Sequence, residues 1–127
     1  MERVVLDTNI LVSALLTTHG NAGIILKKVL DKNLAIVYTY DIIAEYEEVL
    51  YRSKLHLNQV KVREVIDNIL ELGILVIPKM SVDPLPDEDD RIFLDTATAC
   101  GATLITGNLK HYPKRKDIIS PANFLAR

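Results

Sequence analysis

The chain has 127 residues, 49% of them hydrophobic and 25% charged, with five glycines and five prolines. This suits one globular domain spanning residues 1–127 and excludes a disordered, collagenous or low-complexity chain. A formal net charge of -2 argues against holding nucleic acid by bulk electrostatics alone, although an acidic site inside a basic rim would give the same sum.

Cys100 is the single cysteine, so no internal disulfide can form, and a reducing compartment suits the chain at least as well as an oxidising one. The N-terminus, MERVVLDTN, carries an acid at position 2 and reads as a strand rather than a signal peptide. No apolar stretch approaches the roughly 18 residues of a membrane-spanning helix. The expectation is a cytoplasmic protein with no membrane partner.

Val4, Val5 and Leu6 form a short strand, and the spacing of Ile10, Leu11, Ala14 and Leu15 predicts a helix directly after it, capped by Thr8 or Asn9. A second helical pattern, Ile24, Ile25, Val29 and Leu30, ends around Asp31 to Asn33, and Leu34 to Tyr38 reads as a second strand. Asp41 to Arg52 carries a one-sided apolar stripe, as does the stretch from Val62 to Leu70, which stops at Gly73. Ile74 to Ile77 is a third strand. The acidic, proline-punctuated loop SVDPLPDEDD follows, then a helix with Phe93, Ala97 and Cys100 inward and Gly101 at its end. Ala102 to Thr106 reads as a fourth strand and Asp117 to Ile119 as a short fifth. Strands alternating with helices predict an α/β fold, a three-layer α/β/α arrangement around a mainly parallel sheet of four to five strands.

In an open parallel sheet, ligands bind at the carboxyl ends of the strands. Asp7 ends the first strand, and Thr106, Gly107 and Asn108 end the fourth, so all belong on that edge. Asp90 precedes Phe93 by three residues and Ala97 by seven, which turns it toward the sheet, whereas Asp95 falls opposite that stripe and reads as a solvated surface residue. Glu45 and Glu47 flank the apolar stripe of their helix on opposite sides, and periodicity does not choose between them. Carboxylates crowded into a half-buried cleft repel unless they are protonated, paired or bound to a cation. With no nearby His or Cys pair, the hard ions Mg²⁺ and Mn²⁺ suit such a cluster better than zinc.

The stretches VVLDTNILVSALL, IIAEYEEVL and DEDDRIFLDTATACGATLITGN resemble, in order and spacing, the PIN-domain family of metal-dependent ribonucleases, which includes the toxin half of VapBC-type toxin–antitoxin pairs. The resemblance places the family's three acids on Asp7, Glu45 and Asp90 as catalytic metal ligands, and so selects Glu45 over Glu47. Where the family commonly has a fourth acid, this chain has Asn108, a weaker ligand through its carbonyl; Asp87 or His111 could stand in, although His111 reads as a surface residue. Thr8, Asn9, Ser13 and Thr106 are the candidates for supporting hydrogen bonds to Asp7 or to metal-bound water. Lys110, Lys114, Arg115 and Lys116, directly after the active-site strand, are candidates for RNA phosphates, and Tyr112 for stacking on a base.

The resemblance therefore implies an Mg²⁺- or Mn²⁺-dependent endoribonuclease that acts on RNA, pairs with an antitoxin protein and forms a homodimer. The alternative is a catalytically weak PIN-like domain that binds protein or RNA, a reading motivated by Asn108. An aspartate-based phosphatase would need a second Asp two residues after Asp7, where Asn9 stands. A dinucleotide-binding fold would need a glycine-rich turn after the first strand, which is absent.

Overall fold

The computed structural model describes residues 1–78, 85 and 88–127. Its β-strands are β1 (Arg3–Leu6), β2 (Ala35–Tyr38), β3 (Ile74–Leu75), β4 (Thr103–Ile105) and β5 (Ile118–Ile119). The α-helices are α1 (Thr8–Leu16), α2 (Asn21–Leu30), α3 (Tyr40–Leu50), α4 (Gln59–Leu72), α5 (Arg91–Cys100) and α6 (Pro121–Leu125). Short 3₁₀ turns cover Ser53–Leu55, Glu88–Asp90 and Leu109–His111.

The strands form one sheet in the order β3-β2-β1-β4-β5, with every neighbouring pair parallel. Val4, Val5 and Leu6 are fully buried because β1 is central and covered on both faces, which is why this strand reads as a continuous apolar run rather than an alternation. Two crossovers, through α1–α2 and α3–α4, step outward from β1 to β2 to β3. The third, through α5, returns past β1 to β4, and a right-handed connection in the reverse direction lies on the opposite face. The three-layer expectation is met.

Element boundaries follow local chemistry. Thr39 and Asn58 cap α3 and α4 by accepting hydrogen bonds from the amides of Ile42 and Lys61 at 3.1 Å. Gly101, at φ 62°, takes the left-handed conformation that ends α5. The link between α1 and α2 runs so close to α2 that a Cβ on Gly23 would lie 2.1 Å from the Thr18 carbonyl oxygen, leaving no space for a side chain.

Several expectations change. The third strand is shorter than Ile74 to Ile77, because only Ile74 and Leu75 pair, with Val37 and Tyr38, at the sheet edge. A further helix, α6, starts at Ser120, which accepts from the Asn123 amide, and has Pro121 in its first turn, a signal of the right kind in a segment only five residues long. Asp95 is buried, 5% exposed, not solvated. The helical wheel assumes one wet face, but α5 packs on β1, β2 and β4, and all of Phe93, Leu94, Asp95, Thr96 and Ala97 are covered. Of the loop SVDPLPDEDD, the residues 81–84, 86 and 87 lie outside the described residues, and Asp87 with them. Among the described residues no single helix is long and apolar enough to cross a membrane.

Candidate active site

The strand order reverses direction between β1 and β4, and at such a switch point the loops on either side part to leave a crevice at the carboxyl edge. Asp7 stands there. Its amide donates to the Ile105 carbonyl at 3.1 Å, so the ladder between β1 and β4 runs one residue past β1 and pins the backbone of Asp7. The residue is the N-cap of α1 by position, yet its side chain makes no capping bond, which removes the simplest structural explanation for an acid at this place.

The Asp7 carboxylate is held from one side. Its Oδ2 accepts from the Thr106 hydroxyl at 2.8 Å and from the Tyr112 hydroxyl at 2.9 Å. Thr106 is in turn fixed by the Asn108 amide, which donates to its Oγ1 at 3.0 Å, so a relay runs from Asn108 through Thr106 to Asp7. Among the described residues Oδ1 receives no hydrogen bond and Asp7 has no Lys or Arg partner. A buried carboxylate, 5% exposed, is thus kept in place by two neutral hydroxyls on one oxygen, and the other accepts no hydrogen bond among the described residues.

Glu45 comes to the same place from α3. Its Oε2 accepts from the Thr8 hydroxyl at 3.1 Å, so consecutive residues Asp7 and Thr8 contribute an acid and the contact that orients the second acid. Burial pushes the Glu45 carboxyl above its ordinary value, and the negative charges of Glu48 and Asp7 add to this, against the Thr8 hydroxyl and Arg52. Between Glu45 and Glu48, Tyr46 is fully buried and donates to the Leu6 carbonyl at 2.5 Å, closing the end of β1, while its ring stacks on Phe93. Burial, then the charges of Asp7 and Glu45, push the Tyr46 phenol far up, so it stays a neutral donor.

The raised Glu45 has a consequence for stability. A carboxyl with a folded-state pKa above its ordinary 4.5 costs the folded state nothing while protonated and becomes a burden as pH rises through its folded value. Metal-free protein carrying Glu45→Gln is therefore expected to match the wild type below pH 4.5 and to exceed it progressively toward neutral pH in urea unfolding. An advantage that does not grow with pH would show that Asp7 and burial do not strain this side chain.

Asp90 stands as N-cap of α5, again without a side-chain capping bond. Its Oδ2 lies 3.1 Å from His111 Nδ1, and the two side chains are 15% and 34% exposed, respectively. His111 therefore has a specific partner, contrary to its reading as a surface residue, because the 3₁₀ turn after β4 folds back over the start of α5. Consecutive residues His111 and Tyr112 thus contact Asp90 and Asp7. Among the described residues no three His, Cys, Asp or Glu side chains come together as one metal cluster; Thr8, next to Asp7 in the chain, holds Glu45, and His111 holds Asp90.

The other candidates divide. Thr8 and Thr106 touch the acids directly. Asn9 does not cap α1; its Oδ1 accepts from the Gly107 amide at 3.2 Å and ties the start of α1 to the turn after β4. Ser13 is exposed on α1, with no side-chain hydrogen bond among the described residues. Asn108 is exposed and contributes its backbone amide. Tyr112, expected as a base-stacking platform, is 5% exposed and holds Asp7 instead. Its hydroxyl was missed as a ligand of the acid because no sequence pattern ties positions 7 and 112. Arg115 is engaged by Asp117 at 2.5 Å and Thr98 at 3.3 Å, which holds the Asp117 carboxyl below its usual range.

The donor set fits a hard divalent ion. Two carboxylates with no salt bridge among the described residues, one raised by burial and by neighbouring negative charge and one with an oxygen that accepts no hydrogen bond, present only oxygen, and Mg²⁺ commonly takes one or two carboxylates and completes its shell with water and substrate phosphate.

Residues 3–110 match the PIN domain family. The chain belongs to that family. PIN domains are generally nucleases and generally use divalent metal ions. An uncharacterized protein from Methanocaldococcus jannaschii is 26% identical over 121 residues, covering 93% of this chain and 74% of that protein. Among solved structures, VapBC2 from Rickettsia felis, bound to a DNA fragment from their promoter, superposes with a TM-score of 0.60 at 21% identity, covering 93% of this chain and 96% of the other. A Pyrobaculum aerophilum protein superposes with a TM-score of 0.61 at 16% identity, covering 99% and 88%. At these identities the two structures speak for the PIN fold.

Proposed function

We propose that this PIN domain is an Mg²⁺- or Mn²⁺-dependent endoribonuclease and the toxin member of a toxin–antitoxin pair. The observation that carries the reading is the pair Asp7 and Glu45, the second held by the hydroxyl of Thr8 next to the first and neither in a salt bridge among the described residues, at the switch point of a PIN-family sheet.

Asp7 and Glu45 would hold the ion, with Asp90 contributing from the adjoining edge. A bound divalent ion supplies a water of lowered pKa and neutralises charge that builds on the phosphate. Thr106 and Tyr112 keep Oδ2 of Asp7 occupied, which would leave Oδ1 as the oxygen for the ion. Thr8 sets the rotamer of Glu45. His111 holds Asp90 in place. The family assignment supports RNA hydrolysis, and the fold shared with VapBC2 supports an antitoxin partner. We add a homodimer to this reading.

The test is metal dependence. Purified protein incubated with RNA is expected to cleave with Mn²⁺ or Mg²⁺ and to stop when a chelator is added. Cleavage that persists in chelator would overturn the mechanism. Asn108, in place of a fourth acid, favours a second reading, a binding module with little catalysis. Calorimetry separates the two, since no heat on titrating Mn²⁺ to millimolar concentration would favour the binding module.

A further inference from the structure

Beyond Asn108 the chain runs through Leu-Lys-His-Tyr-Pro-Lys-Arg-Lys before returning as β5, and this segment encloses an open cavity of about 760 Å³. The apolar side of the cavity is formed by Leu109, Tyr112, Pro113 and Ile118. Leu109 is 43% exposed, a large apolar side chain left facing water. Lys110, Lys114 and Lys116 form the polar side. None of the three lysines pairs with a carboxylate among the described residues, and the nearest acid in sequence, Asp117, is taken by Arg115. In a chain of net charge -2 this is a local cluster of cations with no salt-bridge partner among the described residues.

Cationic rim and apolar floor together define the ligand. A small inorganic anion has no use for Leu109 and Pro113, and an apolar ligand has none for three lysines. A nucleotide within a single strand has both a flat apolar base and a phosphate at each end. The cavity is also tied to the carboxylates, for Tyr112 is among its lining residues and its hydroxyl donates to Asp7 Oδ2 at 2.9 Å. A ligand in the cavity therefore lies one tyrosine side chain from the acid.

We propose that this cavity is a subsite for a nucleotide of single-stranded RNA that flanks the scissile phosphate, with Lys110, Lys114 and Lys116 on its phosphates and Leu109 and Pro113 under its base. The proposal rests on the nuclease reading for the word scissile and on the cavity for the rest.

The experiment is fluorescence anisotropy of a labelled oligouridylate with the full chain in EDTA, where no cleavage occurs. The Lys110→Ala, Lys114→Ala, Lys116→Ala triple variant is expected to bind at least about tenfold more weakly at low salt. Its plot of log affinity against log salt should be flatter by about 2 units, since each phosphate contact on a single strand contributes roughly 0.7. Leu109→Ser, at an exposed position, is expected to weaken binding while leaving the salt slope unchanged. Binding by the triple variant within twofold of wild type, or unchanged affinity in Leu109→Ser, would overturn the subsite. A wild type that cleaves RNA while the triple variant keeps the same KM also overturns the subsite and leaves the nuclease reading standing. A chain that binds RNA through these residues yet never cleaves with Mn²⁺ overturns the nuclease reading and supports the cavity as an RNA site.

Discussion

Asp7→Asn is expected to lower metal-dependent RNA cleavage by more than about 100-fold, because a direct ligand is worth more than the roughly 10–100-fold that an outer-shell partner of a metal site contributes. The same substitution is expected to raise the melting temperature of the metal-free protein by a few degrees. The asparagine carbonyl can still accept from Thr106 and Tyr112, so the buried contacts survive. Its amide nitrogen, turned toward the crevice, replaces a repulsion with Glu45 by an attraction, and the raised Glu45 carboxyl is relieved of one of its causes. Loss of activity with gain of stability is the mark of a group retained for function. Thermal unfolding of both proteins in EDTA, beside a cleavage assay in Mn²⁺, checks both halves. A variant that cleaves normally would refute the role of Asp7. One that loses activity and melts lower would show that the carboxylate serves the fold.

The second large effect is expected at Tyr112. Tyr112→Phe keeps the ring in its buried place and removes one of the two hydroxyls on Asp7 Oδ2. Affinity for Mn²⁺ and kcat are expected to fall by about 10–100-fold, the range for a group that orients a ligand without touching the ion. The loss in stability should stay near 1 kcal/mol, the net worth of one hydrogen bond. Thr106 gives an internal control, since Thr106→Ser keeps the hydroxyl and should retain Mn²⁺ affinity, while Thr106→Val should lose it. Calorimetry with Mn²⁺ reads this directly and does not depend on turnover. If Tyr112→Phe binds Mn²⁺ as the wild type does, orientation by the phenol has no part in the site.

Asp7 and Tyr112 differ in how far the sequence alone marks them. Asp7 could be read because it interrupts a buried apolar run at a strand end, where the fold class by itself predicts a ligand edge. The choice of Glu45 over Glu47 needed the resemblance, since both flank the same stripe; the structure places Glu45 on Thr8 and sends Glu47 to Arg63 at 3.0 Å. Tyr112 and His111 carry no such signal. Their partners are separated from them by 105 and 21 residues, and which side chain meets which depends on how one 3₁₀ turn folds back over the sheet edge.

Local and periodic information determined a great deal of this protein: the alternation of strand and helix, the parallel sheet, the helix stops at Gly73 and Gly101, and the acid at the end of β1. These depend on steric preference and apolar spacing, which act over a few residues and are written directly in the chain. Only the tertiary structure decided that Asp95 is buried, that Arg115 is spent on Asp117, and that Thr106 and Tyr112 hold one oxygen of Asp7 while leaving the other open. Such facts arise from distances across the sheet between residues far apart in the chain, and hydrogen bonds, unlike periodicity, are fixed only when both partners have been brought within about 3 Å.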